Sequence, residues 1–224
     1  MAIKLSRTFI LRKMHQVTGI APLGLFLLEH FYTNSKALIS PDAFNKAVVE
    51  LQATPYIILL EIFGIALPLL YHAVYGMFIT FDMKPNNLSY AYGRNWFYTL
   101  QRVTGIILFF FILFHVLNFR FGWIPGLNQM SVAQHPEKSY KIVSDEFNKT
   151  WIFAIYIVGI TSTVFHFANG LWLFLVDWGV TIGEKAQRAS AYACLAFGAA
   201  LLAVGINAAA AFVSPGGLFS NFGF

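Results

Sequence analysis

Long apolar stretches alternate along the chain with polar connections that are mostly short. Residues 17–34, 56–81, 99–119, 151–176 and 189–213 are predominantly apolar. A helix of about 20 apolar residues crosses the hydrocarbon core of a bilayer. The pattern therefore predicts an all-α membrane protein with five transmembrane helices, forming a single integral membrane domain over residues 1–224. Only the connection 121–150 is long. Between the first two stretches, Ser40, Pro41 and Asp42 read as a helix start, with serine as N-cap and proline at the first position. Phe44, Val48 and Leu51 then share one face, which predicts a short surface helix. The fifth stretch, ACLAFGAALLAVGINAAAAF, is rich in small residues, and close helix packing accounts for that.

Composition supports the membrane reading. The chain is 58% hydrophobic and 11% charged, with mean hydropathy +0.63. A soluble domain carries about 25% charged residues, so these charges are too few to cover a soluble surface. The net charge of +5 does not imply a nucleic-acid partner, because the basic residues flank the apolar stretches. Nine of them (Lys4, Arg7, Arg12, Lys13, Lys84, Arg94, Arg102, Lys185, Arg188) fall on one side of the predicted membrane. Six (Lys36, Lys46, Arg120, Lys138, Lys141, Lys149) fall on the other. The excess places the N-terminus in the cytoplasm and makes the chain a multi-pass membrane protein. No signal peptide is evident, because the first apolar run lacks a cleavage site. The single cysteine, Cys194, rules out an intrachain disulfide or a thiolate-held cluster, so any iron–sulfur chemistry belongs to another subunit.

The chemistry lies in the histidines. His30, His72, His115 and His166 occur one in each of the first four stretches. Ionisable residues inside membranes are costly and are usually functional. With a rise of about 1.5 Å per residue, His30 lies roughly 8 Å and His115 roughly 6 Å outward of the middle of its helix. His72 and His166 lie in the inner halves. Local sequence gives the same pairing. QVTGIAPLGLFLLEHF at 16–31 and RVTGIILFFFILFHVLNF at 102–119 both open on Val-Thr-Gly-Ile, whereas YHAVYG at 71–76 and FHFANG at 165–170 share His-x-x-x-Gly. The chain reads as a helix pair used twice.

Two imidazoles facing each other at one depth suit bis-axial ligation of haem iron, and bundles house cofactors between facing helices. The first four helices would then form a haem-binding bundle, with His30 and His115 on an outer iron and His72 and His166 on an inner one. The absence of C-x-x-C-H makes the haem b-type, and two ligands per level fall short of the three or four that zinc takes. Gly76 and Gly170, one turn from a ligand, would leave room for the macrocycle edge. Gly19 and Gly105 would serve the same end or simply pack helices. Arg12, His15, Arg94 and Arg102 on the inner side, and Lys36 and Arg120 on the outer, are candidates to meet the propionates or to act as plain interfacial anchors. Glu61, in ILLEIFG, is either a proton-transfer group at an outer quinone site or a protonated carboxyl bonded to a neighbouring helix. Glu29 adjoins His30.

With histidines on four of five stretches and the segments LPLLYHAVYG at 67–76, LQRVTGII at 100–107 and FHFANGLW at 165–172, the chain resembles the di-haem cytochrome b subunits of bacterial succinate:menaquinone oxidoreductases, respiratory complex II. The resemblance covers about Arg12 to Arg188, the 121–150 loop excepted. It implies the membrane subunit of an enzyme whose flavoprotein oxidises succinate and whose iron–sulfur subunit passes electrons onward. Both partners would be anchored on the cytoplasmic face, and electrons would cross two b haems to menaquinone. It implies no succinate-oxidising site on this chain. It also implies the same ligand pairs, His72 with His166 and His30 with His115. Two other classes stay open on the residues alone: a quinone-linked cytochrome b serving another dehydrogenase or reductase, and a haem-free transporter with a histidine proton relay.

Overall fold

The computed structural model describes residues 6–127 and 129–218. Lys4 and the last residues of the C-terminal tail lie outside the described residues. The regular structure of the described residues is helical, with no strand among them. In chain order the helices are α1 Arg7–Ile20, α2 Pro22–Ser35, α3 Pro41–Gln52, α4 Ile57–Phe81, α5 Gly93–Phe121, α6 Ser139–Phe147, α7 Thr150–Asp177 and α8 Glu184–Ala211. Helices α4, α5, α7 and α8 are long and apolar enough to cross a membrane.

The first apolar stretch is divided between α1 and α2. Pro22 is the cause, since its nitrogen has no hydrogen to give the carbonyl of Thr18 and its ring crowds the preceding turn. The helical path nevertheless continues, because the Ala21 amide donates to the Val17 carbonyl at 2.8 Å. Five crossings are compatible with this arrangement, although neither half of the pair is long enough alone. The apolar exterior suits a lipid environment. No residue of α4 is buried, and Phe63 and Leu195 are 65% and 63% exposed.

The chain divides into two compact units. The first contains the chain up to Leu27 together with Ile58–Ile106 and Phe165–Gly198. Within it, α1 runs along α4, and the Tyr71 hydroxyl donates to the Leu11 carbonyl at 2.8 Å. A polar clamp joins α1 to the end of α7. Lys13 Nζ and Gln16 Nε2 donate to Asp177 Oδ2 at 2.8 and 2.6 Å, and Trp178 Nε1 donates to Gln16 Oε1 at 3.0 Å.

The second unit contains Leu28–Ile57, Ile107–Val164 and the chain from Ala199. Its core joins Phe44 and Val48 of α3, Phe119 of α5, Ile142, Val143 and Phe147 of α6, Ile152 and Tyr156 of α7, and Ala211 of α8. The predicted surface helix is α3. The Ser40 hydroxyl accepts from the Ala43 amide at 3.0 Å, and Pro41 opens the helix. The long connection 121–150 holds α6, which sequence periodicity did not single out. Ile142, Val143 and Phe147 turn inward, and burying side chains of this size stabilises by about 1.5–3 kcal/mol each. Tyr140 ties the helix down through both main chain and side chain: its amide donates to Asn45 Oδ1 at 2.8 Å and its hydroxyl to the Ala211 carbonyl at 2.7 Å. Burial raises the phenol above the usual tyrosine range. The small residues of α8 allow close approach, as expected: a Cβ on Gly205 would lie 3.0 Å from Ile160 Cγ2 and 3.2 Å from Phe31 Cζ.

Candidate functional site

Each unit holds one couple of histidines from different helices. In the second unit, His30 of α2 and His115 of α5 have ring centroids 5.7 Å apart and planes at 83°. In the first, His72 of α4 and His166 of α7 have centroids 6.3 Å apart and planes at 80°. The structure thus brings together the same couples that depth and sequence repeat associate. Two imidazoles on opposite sides of one metal atom, each bonded at about 2 Å, would have their centroids about 6 Å apart. Both couples are near that spacing.

Hydrogen bonds fix the tautomers of the first couple. His72 Nδ1 lies 2.9 Å from the His15 carbonyl, and His166 Nδ1 lies 3.1 Å from the Gln101 carbonyl. A carbonyl only accepts, so Nδ1 carries the proton and Nε2 keeps its lone pair for a metal. In the second unit, His115 Nδ1 shares a hydrogen bond of 3.1 Å with the Tyr156 hydroxyl. Tyr156 is buried among the rings of Phe111, Phe119 and Phe147. Glu146, also buried, accepts from Lys149 Nζ at 2.6 Å. Among the described residues no group of three or more His, Cys, Asp or Glu side chains gathers as for a bare ion. Sites of two nitrogens fit a metal that brings its remaining ligands in a macrocycle.

The residues considered for propionates are distributed unevenly. His15 stacks on His72, with centroids 4.0 Å apart and planes within 13°. Its Nδ1 is buried and has no hydrogen-bond partner among the described residues. Arg102 donates from Nη1 to the Tyr98 carbonyl at 2.8 Å, lies 3.4 Å from the Tyr98 ring centroid, and keeps a buried Nε without a hydrogen-bond partner among the described residues. Both orphaned nitrogens belong to the first unit, and an anionic group would satisfy them. Arg12 and Arg94 are exposed. Lys36 bonds the Tyr32 hydroxyl at 2.9 Å, and Arg120 is half-buried. Glu29 accepts from the Thr33 hydroxyl.

The glycines named from sequence all face side chains of this group. A Cβ on Gly19 would meet His72, one on Gly76 would meet His15, one on Gly105 would meet His166, and one on Gly170 would meet Gln101. Glu61 is half-buried in the π-helical stretch Leu60–Ala66, and a second such stretch, Val116–Phe121, follows His115 directly. Interruptions of this kind are frequent at functional sites. Sequence reasoning missed the carbonyl acceptors, Thr18, Thr104, Tyr156 and the stack of His15 on His72. The repeated Val-Thr-Gly was the available signal for the two threonines, but their meeting with histidines of other helices is a tertiary fact.

The family described as succinate dehydrogenase/fumarate reductase transmembrane subunit matches residues 82–205. The chain is 41% identical over 208 residues to the succinate dehydrogenase cytochrome b558 subunit of Bacillus subtilis, covering 93% of this chain and 98% of that one. It is 24% and 23% identical over 182 residues to the fumarate reductase cytochrome b subunits of two strains of Helicobacter pylori, covering 74% of this chain and 66% of each relative.

Proposed function

This chain belongs to the family of succinate dehydrogenase and fumarate reductase transmembrane subunits, and on that premise we propose that it links succinate oxidation to quinone reduction through two b haems. Oxidation of succinate to fumarate releases two electrons and two protons, and reduction of a quinone to the quinol consumes the same number of each. The first half belongs to a flavoprotein partner, with an iron–sulfur partner between. This chain would anchor both on the cytoplasmic face, the side to which its basic excess points. The quinone is menaquinone in this reading.

The observation that carries the proposal is the pair of histidine couples, 5.7 and 6.3 Å between centroids, each built from two helices. Bound haem iron would supply reversible one-electron storage. His72 and His166 would hold the inner group through Nε2, with Nδ1 already committed to carbonyls. His30 and His115 would hold the outer one. Held by two histidines, each group would favour electron transfer over oxygen binding. The orphaned nitrogens of His15 and Arg102 would meet the inner propionates. Glu61 would deliver protons at an outer quinone site.

Family membership supports a succinate dehydrogenase or fumarate reductase subunit over the transporter and over cytochromes of other dehydrogenases. The test is to purify the chain with its soluble partners, count haem per chain, and record a reduced-minus-oxidised spectrum on adding succinate. Two b haems reduced by succinate and reoxidised by a menaquinone analogue support the proposal. One haem per chain, or haem that succinate leaves oxidised, overturns it.

A further inference from the structure

We propose that the two Val-Thr-Gly segments are matched histidine cradles: the His15 carbonyl with Thr18, and the Gln101 carbonyl with Thr104, hold His72 and His166 in one tautomer and set the basicity of both nitrogens offered to the inner iron. This rests on the reading of His72 and His166 as haem ligands, and it names the residues that position them.

The two cradles correspond residue for residue. In each, a main-chain carbonyl accepts the histidine Nδ1 proton, at 2.9 Å from His15 and 3.1 Å from Gln101. In each, that carbonyl stands four residues before a glycine, Gly19 or Gly105. A helical carbonyl points at the amide four residues on, so a side chain there would crowd any outside donor. The glycines remove that obstacle. A Cβ would lie 2.5 Å from His72 Cε1 at Gly19 and 3.3 Å from His166 Cε1 at Gly105. The His-x-x-x-Gly repeat is the reciprocal half. A Cβ on Gly76 would lie 3.0 Å from His15 Cε1, and one on Gly170 would lie 3.5 Å from Gln101 Nε2. Each helix pair therefore interlocks through two glycines, each beneath the other helix's side chain.

Packing of small residues would account for the glycines alone. It does not account for the threonines. The Thr104 hydroxyl donates to the Leu100 carbonyl at 2.7 Å, which leaves its lone pairs to face His166 Nδ1 at 3.2 Å. The Thr18 hydroxyl donates to the His15 carbonyl at 3.0 Å and lies 3.5 Å from His72 Nδ1. The first is a good hydrogen-bond distance and the second is marginal, so Thr104 acts on its histidine more strongly than Thr18. A proton shared from Nδ1 raises electron density at the opposite nitrogen and favours the oxidised metal. Loss of the hydroxyl acceptor therefore raises the reduction potential of the inner haem.

The experiment compares Thr104→Val, Thr104→Ser and Thr18→Val in the full chain in membranes, reading the midpoint potential and low-temperature EPR signal of each haem. The cradle predicts that Thr104→Val shifts the inner midpoint upward and moves its EPR signal, with the outer haem unchanged. Thr18→Val gives a smaller shift of the same sign, and Thr104→Ser restores the parent values. An unchanged inner haem in Thr104→Val, or an equal shift in Thr104→Ser, overturns the inference. If Thr104→Val does not accumulate, Thr18→Val against Thr18→Ser is judged by the same criterion. His166→Ala keeps the two levels apart. If it removes one haem while the threonine variants change nothing, the cradle fails and the ligand reading stands. If it removes none, the ligand reading itself fails.

Discussion

The imidazole of His15 lies flat on that of His72, centroids 4.0 Å apart and planes within 13°. The same residue gives its carbonyl to His72 Nδ1 at 2.9 Å. One residue thus restrains a proposed iron ligand through both its main chain and its side chain, and Gly76 leaves the space that the His15 ring occupies.

His15→Ala keeps the carbonyl and deletes the stack. Aromatic stacking contributes about 0.5–1.5 kcal/mol beyond burial, so retention of the inner haem falls by roughly twofold to tenfold. His15→Gln, which copies the side chain of Gln101 in the other cradle, recovers part of it. Haem content after detergent extraction, resolved by potential, reads the effect, and the outer haem serves as control.

Gly19→Ala and Gly105→Ala differ in severity. The added carbon at Gly19 would sit 2.5 Å from His72, and no small adjustment of a ring held by a carbonyl relieves that. At Gly105 the distance is 3.3 Å, which a shift of a few tenths of an ångström absorbs. Gly19→Ala abolishes the inner haem signal, and Gly105→Ala retains it with a displaced midpoint. Difference spectra of membranes decide the order.

Tyr156→Phe acts on the other couple. It removes the hydroxyl bonded to His115 Nδ1 while keeping the ring that packs on Phe119 and Phe147. The lost bond is worth about 1 kcal/mol. The outer midpoint moves and the inner one does not, in a potentiometric titration of the assembled protein.

Glu61→Gln tests the proton route. The substitution keeps the shape of the side chain and removes its acidity, so quinone reductase turnover drops and its pH profile flattens, while both haem spectra persist. Turnover and profile equal to those of the parent protein would leave Glu61 with a purely structural role.

Much of this site was legible in the sequence because helices convert residue number into depth. His30 and His115 follow Val-Thr-Gly-Ile at nearly equal distance, and His72 and His166 each precede a glycine by four. Both couples in the structure follow from those two facts. The surface helix at Pro41 was legible from its Ser-Pro-Asp cap. Helix α6 was not, because its inward residues Ile142, Val143 and Phe147 are interspersed with polar ones and include the buried Glu146. The break before Pro22 and the acceptors of the histidine protons were also out of reach. Which main-chain carbonyl is left uncovered depends on where a neighbouring helix lies against it.

The central claim is that four histidines grip two haems in fixed couples. Its most direct test is replacement of each of His30, His72, His115 and His166 by alanine, with haem stoichiometry and reduced-minus-oxidised spectra recorded for each. His30→Ala and His115→Ala must lose one and the same haem, His72→Ala and His166→Ala the other. Loss of the same haem from His30→Ala and His72→Ala, or two haems retained in any of the four, would contradict the account.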